Sequence, residues 1–186
     1  PRRAAALPRL MRSEHLTLAV VGTGAMGRGI AQIAAQAGCR VLLLDTREGA
    51  AAEAKDALGK QWGKLVEKGK MDAAAADAAL ARLEVVADTY ALTYANVVVE
   101  AIVENLEVKR ALFRELDDIV SADCVLATNT SSLSVTAIAA GTKFPGRVAG
   151  FHFFNPVPLM KVVEVVAGAL TYEAPLELLT TLAREW

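Results

Sequence analysis

The chain contains two histidines, and only one of them is placed where a sheet protein carries out chemistry. His152 ends the apolar stretch "RVAGFH", whereas His15 precedes the first predicted strand. Ligands of open α/β sheets bind outside the carboxyl ends of the strands. We therefore interpret His15 as a surface residue and expect His152 to transfer a proton, because histidine is the commonest general base near neutral pH.

A carboxylate follows in the next apolar segment. Glu164 lies between valines in "KVVEVV", which lacks the alternation of a half-exposed strand. A charge in such surroundings needs either solvent or a partner. Two interpretations stay open: Glu164 faces water on an edge strand, or it bonds His152, fixes the tautomer of the imidazole and stabilises the imidazolium.

Further polar side chains follow two other predicted strands. The segment "TNTSSLSV" carries hydroxyls at Thr130, Ser131, Ser132 and Ser134. One of them should cap the next helix, and the others are candidates to hold a substrate oxygen. Glu104 ends the strand segment "VEAIVEN", and Lys109 lies about one helical turn further on.

The stretch "AVVGTGAMGRGIAQIAAQAG", residues 19–38, joins a strand pattern to a helical pattern through glycines. Gly22 would make the tight turn, Gly24 would let the backbone approach a pyrophosphate, and Gly27 would let helix and strand pack closely. The helix N-terminus would add free N–H groups. Asp45 ends the next apolar run, about 20 residues on, where an acid binds the ribose 2′-hydroxyl. The combination favours dinucleotide binding over a merely structural turn.

A parallel sheet would bring these strand ends together. Apolar runs of strand length alternate with helical patterns, which is typical of a doubly wound sheet. We predict strands over residues 16–21, 41–44, 83–86, 96–101, 124–128 and 147–152. Residues 48–82 predict a long helix, a break at Gly69 and a second helix from about Asp72. The predicted fold class is α/β: a Rossmann-type, doubly wound, mostly parallel sheet with an inserted long helical pair after the second strand.

Composition narrows the class of partner. A net charge of −1 gives no electrostatic footprint for nucleic acid or for an anionic membrane, so a small molecule is expected instead. Glu100 and Glu104 interrupt the longest apolar stretch, which is therefore too short to span a membrane. Cys39 and Cys124 are interpreted as buried free thiols rather than a disulfide or a metal site, which fits a reducing cytoplasm.

The length fits one domain, which we place at residues 15–186. Residues 1–14 begin "PRRAAALPRLM" and carry four arginines with one acid. We interpret them as an N-terminal extension, either a transit-peptide remnant or sequence upstream of a true start near Met11.

The predicted long helix has a basic face. Lys60, Lys64 and Lys68 are spaced by four residues and lie on one side of a helix. From the pattern alone, this face is either solvated or the rim of a site for a phosphorylated ligand.

Four segments together resemble the amino-terminal NAD-binding domain of the 3-hydroxyacyl-CoA dehydrogenases: "VGTGAMGRGIAQIAAQAG", "VVEAIVENLEVKRALFREL", "TNTSSLSVTAIA" and "GFHFFNPVPLMKVVEVV". The resemblance covers nearly all of the chain from residue 16 to about residue 170. It implies NAD as the cofactor, an acyl-CoA as the substrate, and oxidation of a (3S)-3-hydroxyacyl-CoA to the 3-oxoacyl-CoA.

The resemblance also implies roles for individual residues. The catalytic base falls on His152, its orienting acid on Glu164, and a serine that touches both substrate and cofactor on Ser131. The cofactor contacts fall on Gly22, Gly24, Ala25, Met26, Gly27, Asp45, Glu104, Lys109, Ser131 and Asn155. The CoA contacts fall on Gln61 and Lys68, and no metal takes part.

The family's helical second domain, which closes over the acyl-CoA and forms most of the dimer contact, does not follow in this sequence. We therefore interpret the chain as part of a longer, homodimeric enzyme and expect the chain alone to be poorly active. Three alternatives stay open: a non-catalytic NAD(H)-binding module, an NADP-linked 3-hydroxy acid dehydrogenase with a catalytic lysine, and a 6-phosphogluconate-like sugar acid enzyme. Asp45 and His152 argue against the second and the third.

Overall fold

The computed structural model describes residues 12–186. Most of the predicted N-terminal extension, including Met11, lies outside the described residues. Within them, Ser13 is buried, and its backbone N–H and its hydroxyl both donate to a carboxylate oxygen of Glu185, over 3.1 and 2.5 Å. The described contacts of the domain therefore begin two residues before the predicted boundary at residue 15, which stays a prediction.

Strands and helices alternate along the described residues. The strands are β1 (Thr17–Val21), β2 (Arg40–Leu44), β3 (Leu83–Val85), β4 (Val97–Glu100), β5 (Val125–Thr128), β6 (Val148–Phe153) and β7 (Val163–Ala167). The α-helices are α1 (Ala25–Gln36), α2 (Ala50–Glu67), α3 (Ala73–Ala81), α4 (Leu106–Ile119), α5 (Val135–Ala139) and α6 (Glu173–Glu185). Every predicted strand is present to within about two residues, and no helix among the described residues is long and apolar enough to cross a membrane.

One seven-stranded sheet forms the centre of the domain, in the order β3-β2-β1-β4-β5-β6-β7. The pairs from β3 to β6 are parallel, and β7 pairs antiparallel with β6. The strand order reverses between β1 and β4, which is the switch point where such sheets bind ligands. The predicted doubly wound, mostly parallel fold is confirmed.

The inserted helical pair is present after β2. The helix α2 ends at Glu67, Gly69 has a positive φ of 63°, and Asp72 caps α3 by accepting a hydrogen bond from the backbone N–H of Ala75 over 3.1 Å. Leu58 and Trp62 of α2 are buried in the same core as the β1 and β2 side chains. The pair therefore packs on the sheet through one face and leaves the lysine face exposed.

Candidate active site

His152 and Glu164 lie opposite each other on paired strands. They are register partners in the antiparallel β6–β7 pair, and Nδ1 of His152 lies 2.9 Å from Oε2 of Glu164. The His152 side chain is 15% exposed and that of Glu164 is 56% exposed. Both earlier interpretations of Glu164 hold in part, because this glutamate lies on the edge strand, faces solvent and also contacts His152.

A cleft opens at the carboxyl ends of β4, β5 and β6, beside the start of α1. Its volume is about 360 Å³, within the range of about 300–1,000 Å³ that is common for small-molecule sites. The lining residues are Met26, Ala101, Ile102, Glu104, Lys109, Asn129, Ser131, His152, Phe153, Phe154 and Asn155. The structure thus brings to one cleft six of the residues to which the resemblance assigns roles.

The glycine turn between β1 and α1 has the geometry predicted from its sequence. Gly22 has a φ of +93°, and a Cβ at Gly27 would lie 1.8 Å from the carbonyl oxygen of Gly22. Glycine is therefore required at both positions by the protein itself. A Cβ at Gly24 would meet nothing within 4 Å, so the space beside this backbone is open to a ligand.

The start of α1 supplies the donors that a phosphate needs. Gly24 caps the helix in an extended conformation, and Ala25 and Met26 form its first turn. The N–H groups of a first turn have no acceptor within the helix and carry the positive end of the helix dipole. The open backbone at Gly24 and these free donors fit a dinucleotide pyrophosphate.

Asp45 lies directly after β2, beside the glycine turn. Its Oδ2 accepts hydrogen bonds from the backbone N–H and the hydroxyl of Thr23, over 2.7 and 2.8 Å, and its Oδ1 accepts one from the backbone N–H of Arg47 over 2.9 Å. Burial raises the pKa of Asp45, but these hydrogen bonds outweigh it and lower the pKa below its ordinary value. An ionised acceptor at the end of β2 fits a ribose diol.

Lys109 lines the floor of the cleft and forms a buried ion pair beneath it. Nζ of Lys109 lies 2.5 Å from Oε1 of Glu100 and 3.2 Å from Oε2 of Glu104. Lys109 and Glu100 are almost completely buried, at 1% and 0% exposure. The second oxygen of Glu100 accepts from the hydroxyl of Thr128 over 2.7 Å, and its first oxygen also accepts from the backbone N–H of Ile102. Every oxygen of this buried carboxylate therefore has a partner.

Glu104 connects this ion pair to the loop after β5. Its Oε1 accepts from the hydroxyl of Thr130, from the backbone N–H of Ser131 over 3.2 Å, and from the hydroxyl of Ser132 over 3.5 Å. Burial raises the pKa of Glu104, but the hydrogen bonds from Thr130 and Lys109 outweigh this effect, so the pKa lies below its ordinary value. The exposed Ser131 is thus held at the cleft by an ionised carboxylate.

The loop after β5 also contains the predicted helix cap and an anchor for β6. Ser134 caps α5 by accepting from the backbone N–H of Ala137 over 3.2 Å. Oδ1 of Asn129 accepts from the backbone N–H of Phe153 over 2.8 Å and ties the end of β6, next to His152, to the end of β5.

Sequence reasoning did not identify Glu100, Thr23 or Asn129 as parts of the site. Glu100 was visible as a charge inside an otherwise apolar strand segment, which is a signal for a buried partner. Thr23 and Asn129 gave no signal of their own, because their roles depend on contacts between different strand ends.

Gln61 and Lys68 do not line the cleft. Gln61 lies on α2, and its side-chain amide donates to Oε1 of Gln32 on α1 over 3.4 Å. Lys68 is the exposed residue that follows the last turn of α2. Their contact with CoA stays a prediction.

Sequence comparisons place the chain among NAD-binding domains, as the glycine turn indicates. A family model described as "3-hydroxyacyl-CoA dehydrogenase, NAD binding domain" matches residues 17–186. The chain is 47% identical to a 3-hydroxyadipyl-CoA dehydrogenase of Escherichia coli K12 over 91% of the chain and 36% of that protein. It is 44% identical to a 3-hydroxybutyryl-CoA dehydrogenase of Clostridioides difficile over 84% of the chain and 56% of that protein.

Solved structures give the same result. A crystal structure of 3-hydroxybutyryl-CoA dehydrogenase from Escherichia coli K12 matches with a TM-score of 0.90 and 47% identity, over 92% of this chain and 36% of that one. An (S)-3-hydroxybutyryl-CoA dehydrogenase from Ralstonia eutropha matches with a TM-score of 0.87 and 34% identity, over 91% of this chain and 60% of that one. The chain spans about a third to three fifths of the length of these relatives.

Proposed function

Because the chain belongs to the 3-hydroxyacyl-CoA dehydrogenase family, as its NAD-binding domain, we propose that its protein oxidises (3S)-3-hydroxyacyl-CoA to 3-oxoacyl-CoA with NAD. The observation that carries this proposal is the His152–Glu164 contact of 2.9 Å at a cleft beside the glycine turn. A base, an orienting acid and a dinucleotide turn suit the oxidation of an alcohol, in which the base takes the hydroxyl proton and the nicotinamide takes the hydride.

His152 acts as the general base. An ionised carboxylate only accepts hydrogen bonds, so Glu164 selects the tautomer that carries its proton on Nδ1. Nε2 is then left with a lone pair, which removes the proton of the 3-hydroxyl as the carbon is oxidised. The negative charge of Glu164 stabilises the imidazolium that results.

Ser131 and Asn155 position the reactants. Both line the cleft with His152. In the proposal, the Ser131 hydroxyl binds the substrate oxygen and also contacts the cofactor, and Asn155 contacts the nicotinamide end. The bond from its backbone N–H to Glu104 restrains Ser131, which lowers the entropy lost when the substrate is aligned.

The residues around the turn fit NAD. Ala25 and Met26 would hold the pyrophosphate through their N–H groups, Asp45 would accept from the ribose hydroxyls, and Glu104 and Lys109 would also contact the cofactor. When bound, NAD supplies the hydride acceptor. On α2, Gln61 and Lys68 would contact the CoA, with Lys68 as a point charge for a phosphate.

For the whole protein, we also propose a second domain of the kind that the family carries. In the family, a helical domain closes over the acyl-CoA and forms most of the dimer contact. We assign the acyl pocket and a homodimer interface of this protein to the same kind of domain. Closure over the cleft described here would exclude water from the reacting groups.

A chimera tests the proposal. The chain replaces the matching segment of the Clostridioides difficile 3-hydroxybutyryl-CoA dehydrogenase, which is 44% identical over 156 residues. NADH formation from (3S)-3-hydroxybutyryl-CoA is followed by absorbance, and NADH binding is measured by calorimetry. We expect steady turnover with NAD. A chimera that binds NADH as tightly as the parent enzyme but forms no product would contradict the proposal and favour a non-catalytic NAD(H)-binding module.

A further inference from the structure

An ion pair beside Asp45 involves the arginine nearest to the proposed ribose site. Arg47 lies two residues after Asp45, and its backbone N–H bonds the Asp45 carboxylate. Its guanidinium, however, contacts Glu53 in the first turn of α2. Nη2 of Arg47 lies 2.6 Å from Oε2 of Glu53, and Nη1 lies 3.3 Å from Oε1. Both terminal nitrogens of the guanidinium therefore bond the same carboxylate.

A free guanidinium at this position would favour a different cofactor. Arginine binds phosphate groups through paired donors, and an arginine near the acid after β2 accommodates the 2′-phosphate of NADP. The segment therefore combines an acid that selects NAD with a cation that suits NADP. Which one prevails depends on where the guanidinium is held.

We propose that Glu53 is a specificity-determining residue, which disfavours NADP by engaging the guanidinium of Arg47 that would otherwise bind the 2′-phosphate. The inference rests on the proposed function only in placing the adenosine ribose at Asp45. Asp45 repels the 2′-phosphate directly, and Glu53 removes the compensating cation. The preference for NAD thus comes from two carboxylates on different elements.

The local charges support this assignment. Asp45, Glu48 and Glu53 with Arg47 give three negative charges and one positive charge, a net charge of −2. A 2′-phosphate carries a charge of about −1.5 to −2 at neutral pH. The hydrogen bond and the positive charge of Arg47 lower the pKa of Glu53, so Glu53 is ionised wherever the cofactor is assayed.

The size of the expected effect on NADPH binding follows from the solvent exposure of the Arg47–Glu53 ion pair. The side chains of Arg47 and Glu53 are 64% and 65% exposed, and ion pairs in solvent are weakened by water and by salt. A bound 2′-phosphate can therefore compete for Arg47 at a modest cost. Releasing Arg47 is expected to improve NADPH binding about two- to five-fold.

The experiment measures the dissociation constants of NADH and NADPH by calorimetry for the chain and its variants at low ionic strength. In Glu53→Gln, the ratio of the NADPH constant to the NADH constant should fall about two- to five-fold. Glu48→Gln is the matched control, because it removes the same charge from an exposed residue next to Arg47 and leaves the ion pair intact. The double variant Arg47→Gln/Glu53→Gln should lose the gain.

Three results would overturn the inference while NADH still binds the unmodified chain. These are an unchanged ratio in Glu53→Gln, an equal fall in Glu48→Gln, which would indicate a general charge effect, and a fall that persists in the double variant. Failure of the unmodified chain to bind NADH would instead contradict the dinucleotide site itself, and both proposals with it.

Discussion

Two acid–base pairs lie at the same end of the sheet, and they differ in their access to solvent. Glu100 and Lys109 are 0% and 1% exposed, and their charged atoms lie 2.5 Å apart. His152 and Glu164 are 15% and 56% exposed, and their nearest atoms lie 2.9 Å apart. The first pair connects β4 to α4 at the cleft floor, and the second connects β6 to the edge strand β7.

Because the two pairs differ in solvent exposure, we expect them to have different roles. In the buried pair, removal of either charge would leave its partner unpaired in a medium that solvates ions poorly, so the pair contributes to stability only as a whole. In the outer pair, water reaches the Glu164 carboxylate, because this side chain is 56% exposed. We therefore expect the buried pair to hold Glu104 and the Ser131 loop in place, and we assign the proposed proton transfer to the outer pair.

The largest expected effect is on turnover at the outer pair. In the chimera, His152→Gln should lower kcat by about 10²- to 10⁴-fold, the usual contribution of general acid–base catalysis. The dissociation constant of NADH should stay nearly unchanged, because the imidazole acts on the substrate. A glutamine variant that turns over at more than half the normal rate would show that the proton goes elsewhere.

The next effect is on the stability of the buried pair. Lys109→Met keeps much of the side-chain volume but leaves the Glu100 carboxylate without its cation, so the free energy of unfolding should fall by about 3–5 kcal/mol. Urea unfolding of the chain measures it. The double variant Glu100→Gln/Lys109→Met should recover part of the loss. A loss in Lys109→Met below about 1 kcal/mol would mean that water reaches Glu100.

A smaller effect is expected on the pH dependence of stability, through Glu104. The pKa of Glu104 is lowered from its ordinary value of 4.5 in the folded chain. Its stabilising contribution is therefore complete above the unfolded pKa and is lost as the pH falls through the folded pKa. The difference in unfolding free energy between the chain and Glu104→Gln should be largest near neutral pH and should shrink below about pH 4.5. A difference that is constant down to about pH 3 would contradict this assignment.

The smallest effect is on the stability of the outer pair. Glu164→Gln replaces an exposed carboxylate with an amide of the same shape, so the free energy of unfolding should change by no more than about 0.5 kcal/mol. Urea unfolding beside Lys109→Met gives the direct contrast. A loss comparable to that of Lys109→Met would show that the two pairs do not differ in the way proposed.

The fold was largely predictable because its signals are local. Apolar strand runs, the positive-φ break at Gly69 and the turn at Gly22 and Gly27 are each encoded within a few residues. The direction of β7 was not predictable, since pairing of β7 with β6 depends on the loop between them. The same pairing fixes the register that places Glu164 opposite His152.

The cleft floor was harder to predict. Glu100 is tolerated in a buried strand because Lys109 comes from α4 and Thr128 from the neighbouring strand. No local pattern encodes the meeting of these three residues. Glu104 was expected at the cleft, but its hydrogen bonds to the Ser131 loop became visible only in the structure.

The most direct test of the proposed base and its orienting acid is a double-mutant cycle in the chimera. The kcat values of His152→Gln, Glu164→Gln and the double variant are compared with that of the unmodified chimera. If Glu164 acts through His152, it has no role once the imidazole is gone, so the double variant should be no slower than His152→Gln alone. Losses that multiply in the double variant would contradict the account, because Glu164 would then act independently of His152.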